Sequence, residues 1–170
     1  MTKKIITYPD PVLAKKATRI DDITSGVVAL ASDMAEAMYA NQGIGLAANQ
    51  VGELVRLVTV DLSGPEKREE LLVLLNPEIV EREGETETEE GCLSVRNYRA
   101  NVVRSEKVRV KGVDLSGRDV CLDAEGLLAV CLQHEIDHLD GTLFIDHVSR
   151  LKRALYDKRL KKWDRKAEDD

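Results

Sequence analysis

The segment Gln133-His134-Glu135-Ile136-Asp137-His138 places two of the chain's three histidines four residues apart, with a glutamate directly after the first. On an α-helix, residues i and i+4 share a face and differ in height by about 6 Å, so both imidazoles can converge on one metal ion. Glu135, beside the first of them, is within reach of a water on that ion. His-Glu-x-x-His is thus the pattern of a metal hydrolase, with His134 and His138 as ligands and Glu135 as proton carrier. Taken alone, the pentapeptide is equally compatible with two helix histidines that are merely hydrogen-bonded.

Catalytic sites of this kind take three protein ligands and leave one position open for water. A metzincin would continue to Gly-x-x-His; Gly141 is in place, but Phe144 stands where the third histidine belongs, which excludes that class. His147 lies three residues further on, out of register, and is expected at the start of the last helix. A zincin with a downstream glutamate is poorly served, because the one glutamate after the motif is Glu168, near the charged end. Upstream, Glu90-Gly91-Cys92-Leu93-Ser94 sets a cysteine in a turn-like break between two extended segments, and Cys92 is the candidate third ligand. Cys121, in a strand pattern, and Cys131, three residues before His134 on an apolar helix face, read as small core residues. A third block, Gly43-Ile44-Gly45-Leu46-Ala47-Ala48-Asn49-Gln50, has glycines that permit close backbone approach and ends in an amide. It has neither the Lys-Ser/Thr of a Walker loop nor the spacing of a dinucleotide fingerprint.

The elements that must position these residues follow from periodicity. Val27, Leu30, Ala31, Met34, Ala37 and Met38 recur at helical spacing between a Thr24-Ser25 cap and the stop at Asn41-Gln42-Gly43. Leu54 to Leu62, Leu71 to Val80, Lys107 to Leu115 and Asp119 to Leu122 read as strands separated by turn signals. A second helix is expected over about 124–140, carrying the histidines and ending at Gly141, and a third over about 149–166. Helix, strands, then helices imply an α+β fold, with mostly antiparallel sheets around the metal-bearing helix. No repeat or linker divides the chain, and 170 residues suit one catalytic domain over 1–170 that buries roughly 70% of its unfolded surface.

Three unevenly spaced cysteines make no disulfide framework and favour a reducing compartment. With neither a signal-like run nor a membrane-length apolar stretch, a cytoplasmic protein with no membrane partner is expected. The net charge of -6 argues against a general nucleic-acid binder. The charge is uneven: residues 149–170 carry nine Lys or Arg against five Asp or Glu, a net of +4 on an otherwise acidic body. Such a helix either presents a solvated face or docks on an anionic partner such as ribosomal RNA.

Taken together, Gly43 to Gln50, Glu90 to Ser94 and Gln133 to His138 resemble, in order, the Gly-x-Gly-x-Ala-Ala-x-Gln, Glu-Gly-Cys-Leu-Ser and Gln-His-Glu-x-x-Asp-His blocks of the bacterial-type peptide deformylases. The likeness extends to Tyr8 to Leu13, Asn76-Pro77-Glu78 and His138 to Phe144, and so covers nearly the whole chain. It implies removal of the formyl group from the N-terminal formyl-methionine of nascent polypeptides, with release of formate. Cys92, His134 and His138 would bind the metal, Glu135 would be general base and then acid, and Gln50 and the Leu93 N–H would hold the developing oxyanion. Gly45 would give a main-chain contact to substrate. The resemblance implies Fe2+ as native ion with Ni2+ or Co2+ as substitutes, whereas one cysteine and two histidines suit Zn2+ by softness. It also implies ribosome docking by the basic last helix. It breaks at one place: many relatives carry proline after Ser94-Val95, and this chain has Arg96.

Formyl carbon bears only hydrogen, so close backbone at Gly43 and Gly45 would admit it and reject acetyl. Ile44, Leu127, Val130 and Cys131 either line an apolar pocket for a methionine side chain or are plain core. Two rivals stay open at this level: a zinc metallopeptidase, and a ribosome-binding domain with a structural metal, which would normally close its site with four protein ligands.

Overall fold

The computed structural model describes residues 3–169, so Met1, Thr2 and Asp170 at the ends of the expected domain lie outside the described residues. Helix α1 spans Ser25–Ala40, where the Thr24 hydroxyl caps the Val27 N–H at 3.3 Å. Its apolar stripe is buried around Met34, Ala37 and Met38. The helix stops where expected: the Asn41 side chain donates to the Ala37 carbonyl, Gln42 takes φ 60°, and the Gly43 N–H returns to the Met38 carbonyl at 2.9 Å. The last turn of α1 thereby fixes the start of the glycine block.

Seven strands follow among the described residues: β1 Gly45–Ala47, β2 Leu57–Val60, β3 Leu72–Glu83, β4 Thr86–Cys92, β5 Val95–Arg104, β6 Lys107–Val113 and β7 Asp119–Glu125. They form an antiparallel five-stranded sheet in the order β1-β2-β3-β6-β7 and a separate β4–β5 hairpin. Helix α2, Gly126–Leu139, packs against β1, β2 and β7, and α3, Arg150–Asp169, closes the chain. This is the expected α+β arrangement of antiparallel sheets about the histidine helix. Almost every residue of α2 from Ala129 to Leu139 is buried, Asp137 being the half-buried exception. A helix enclosed on all sides is placed by its surroundings rather than by one stripe.

Several expectations shift. The strand expected over 54–62 is paired only at Leu57–Val60, because the Leu54 carbonyl accepts instead from Thr18. β1 is not expected as a strand, three residues being too few for alternation, while the two extended segments expected around Cys92 form the β4–β5 hairpin. β7 runs three residues past Leu122, so α2 begins later, at Gly126. Cys121 is exposed rather than core, since on this edge strand Val120, Leu122 and Ala124 take the inner face. His147 lies in a 3-10 turn, Phe144–His147, before α3 instead of starting that helix.

Candidate metal centre

Cys92 ends β4 at a break in the hairpin ladder: Gly91 pairs with Arg99, but Cys92 pairs with Val95, so Arg96-Asn97-Tyr98 bulges out of register. The break turns Cys92 Sγ toward α2. It lies 3.3 Å from His138 Nε2, which is 3.2 Å from His134 Nε2, and the three donor atoms all fall within 4.8 Å of one another. Two neutral imidazoles facing through Nε2 leave lone pairs opposed unless something positive sits between them. Ligands at about 2.05 Å around a tetrahedral cation are separated by about 3.3 Å, which is the spacing found. The donor set therefore fits one small divalent ion.

The surrounding groups orient these donors. Glu90, two residues before Cys92 on the same face of β4, lies with Oε1 2.9 Å from His134 Nδ1. Arg104 in turn grips Glu90 through two bonds of 2.8 Å and reaches Asp137 at 2.5 Å, and Asp137 also meets His147 Nε2 at 3.1 Å. Burial alone would raise the Glu90 carboxyl, but the Arg104 and His134 hydrogen bonds outweigh it and hold it down at about 2. With Glu90 ionised, His134 keeps its proton on Nδ1 and directs the Nε2 lone pair at the shared centre. Burial, with the positive charge of Arg104 nearby, drives His138 well below the usual imidazole range, toward the neutral ligand form.

Glu135 is buried, and burial raises its carboxyl to about 7, with Glu90's negative charge adding to the effect. Its Oε2 has no hydrogen-bond partner among the described residues. Gln50 is fixed in one orientation: Oε1 accepts the Ala47 N–H at 2.9 Å, so the NH2 faces Ser94 Oγ at 3.0 Å and Cys92 Sγ at 3.5 Å. Gly45 is tight against Glu135, since a Cβ there would lie 2.6 Å from Glu135 Oε1 and 2.8 Å from Cys131 Sγ. At Gly43 a Cβ would meet Leu93 Cδ1 at 2.8 Å.

A cleft of about 1260 Å³ opens over this centre. The structure brings to it Gly43, Ile44, Gly45, Gln50, Cys92, Leu93, Leu127, Val130, Cys131, His134 and Glu135; His138 lies beneath, fully buried. Ile44, Val130 and Cys131 form its apolar floor and half-exposed Leu127 its rim, while Cys131 also belongs to the core packed under α2. Sequence reasoning gave no role to Glu90 or Arg104. Glu90 carried a usable signal, its two-residue spacing from Cys92 in an extended segment. Arg104 carried none, because its reach depends on the hairpin register.

The polypeptide deformylase family profile matches residues 2–154. The chain belongs to the peptide deformylase family. A peptide deformylase of Thermodesulfovibrio yellowstonii is 51% identical over 93% of this chain and 96% of its own length. Among solved structures, the peptide deformylase of Legionella pneumophila superposes with a TM-score of 0.92 at 44% identity, covering 99% of this chain and 98% of the other. That of Ehrlichia chaffeensis in complex with actinonin gives 0.88 at 37%, covering 96% and 98%. Deformylase family membership makes this chain an enzyme, and the three converging donors are its candidate metal site.

Proposed function

We propose that this protein binds one divalent cation through Cys92 Sγ, His134 Nε2 and His138 Nε2 and hydrolyses the N-formyl group of formyl-methionyl chains, releasing formate. The observation that carries the reading is the unpartnered Glu135 Oε2, buried beside an open, three-donor centre. A structural metal site would need a fourth protein donor and no such base.

When bound, the cation supplies a water of lowered pKa and polarises the carbonyl under attack. Glu135 Oε2 would take a proton from the attacking water and hand it to the leaving amine. A buried carboxylate that takes and returns a proton fills a role commonly worth about 10²- to 10⁴-fold. The Gln50 NH2, locked by the Ala47 N–H, and the Leu93 N–H meet the developing oxyanion at about 3 kcal/mol each. Glu90 and Arg104 hold His134 in the required tautomer.

Formyl selectivity follows from contact. Gly45 has no room for even a methyl group on its own Cα, and in our reading backbone this close at Gly43 and Gly45 admits the hydrogen of a formyl carbon and rejects an acetyl methyl. Ile44, Leu127, Val130 and Cys131 receive the methionine side chain. The softness of the donor set accommodates Zn2+, while the family resemblance favours Fe2+ in the cell. None of the helices of the described residues is long and apolar enough to cross a membrane. We assign the protein to the cytoplasm, where formylated chains emerge. The outer face of α3, with Lys158, Lys161, Lys162 and Arg165 exposed, suits an anionic ribosomal surface.

The test is direct. Purified protein loaded with Fe2+ under anaerobic conditions, or with Ni2+, should release formate from an N-formyl-methionyl tripeptide and leave the N-acetyl analogue intact. Equal turnover of both would remove the steric account, and release from neither would remove the function.

A further inference from the structure

The chain has six aromatic residues, and five of them, Tyr8, Tyr98, Phe144, Tyr156 and Trp163, lie in one cluster. Their rings form a continuous column. Trp163 meets Tyr156 at 6.4 Å between centroids, Tyr156 meets Tyr98 at 4.8 Å, Tyr98 meets Phe144 at 6.1 Å, and Phe144 stacks on the ligand His134 at 6.0 Å. The column runs from α3 to the metal centre and passes through the bulge at Arg96-Asn97-Tyr98.

That bulge is a wall of the cleft, lined by Asn97 and Tyr98, and it has no cross-strand partner: the ladder jumps from Gly91–Arg99 to Cys92–Val95, and Asn97 sits at φ 54°. A segment outside the ladder takes its shape from whatever braces it. Here the brace is α3. The Tyr156 hydroxyl donates to the Arg96 carbonyl at 2.7 Å, the Tyr156 ring backs Tyr98, and the Arg96 guanidinium reaches Asp164 at 3.4 Å. The last contact is available because residue 96 is arginine; a proline has no side chain to make it. Tyr8 ties the same helix to the body through Asp157 at 2.7 Å.

We propose that α3 is a positioning element of the substrate cleft, with Tyr156 as the residue that sets the Arg96–Tyr98 wall against which the peptide beyond methionine lies. Tyr156 touches neither the reacting atoms nor the donors, and acts through the wall. The helix thus has an inner face that shapes the cleft and an outer, basic face free for a partner, so a partner that shifted α3 would be felt by the bound peptide.

This rests on the deformylase reading, and the experiment separates the two. Tyr156→Phe keeps the ring and removes the hydroxyl. With metal-loaded enzyme, KM for a formyl-Met-Ala-Ser-Lys peptide should rise about three- to tenfold, the effect of one lost hydrogen bond. Its kcat should change less than twofold, and N-formyl-methionine itself should show no rise in KM. A purely structural role would lower kcat for both substrates together and leave both KM values alone, and that result overturns the proposal. If Tyr156→Phe does not fold, the single tryptophan, Trp163, reads the same link. Titrating the tetrapeptide into Glu135→Gln should shift Trp163 emission, and N-formyl-methionine should not. Equal responses, or none with peptide bound, overturn the proposal. Absence of formate release by the native enzyme would sink the deformylase reading instead.

Discussion

Glu90 Oε1 stands 2.9 Å from His134 Nδ1, and the same carboxylate is held through Nε and one Nη of the Arg104 guanidinium, so the orientation of one proposed metal ligand depends on an ion pair within the β4–β5 hairpin. Glu90 and Arg104 are both nearly solvent-free. Removing one partner of such a pair typically costs about 3–5 kcal/mol, because the other is left charged and buried. Glu90→Gln keeps the shape and an acceptor oxygen but loses the charge. Metal affinity, measured by competition with a chelator, should fall about 10- to 100-fold. Unaltered affinity in a folded Glu90→Gln protein would show that the pair serves stability alone.

Gly45→Ala tests the contact between the glycine block and the base. The new methyl carbon cannot sit 2.6 Å from Glu135 Oε1, so the carboxylate must swing away or β1 must move. Turnover should fall by about 10²-fold, the lower end of what general base catalysis contributes, with metal content unchanged. Native kcat in this variant would mean that Glu135 does not need its observed position.

The acid limb of the pH–rate profile has a defined origin. Burial raises Glu135 from 4.5 to about 7, so without a cation the base form is lost as pH falls through 7. A bound divalent cation favours the carboxylate and moves that loss to lower pH. The apparent pKa of kcat/KM on the acid side should thus lie between 4.5 and about 7. Glu135→Gln should abolish this limb in whatever residual rate it retains, and an unchanged limb would assign the proton to another group.

Legibility in the sequence followed the range of the interactions. The His134–Glu135–His138 relation is set by helical period within one element, and the α1 boundaries by local capping at Thr24 and Asn41. All could be read directly. Cys92 was reached through the break between extended segments, which proved to be the hairpin turn. The Arg104–Glu90 grip, the 96–98 bulge and the aromatic column could not be read, because they arise from strand register and from α3 folding back on residues some 60 positions earlier. Cys121 was misplaced because a strand pattern does not tell an edge strand's outer face from its inner one. His147 was misplaced by one short turn, in which it pairs with Asp137.

The most direct test of the central claim compares native protein with Glu135→Gln, both metal-analysed, for formate release from an N-formyl-methionyl peptide. Equimolar metal in both, rapid formate release by the native enzyme and at least a 10²-fold loss in the variant are expected. Equal rates in the two metal-loaded proteins would contradict the claim.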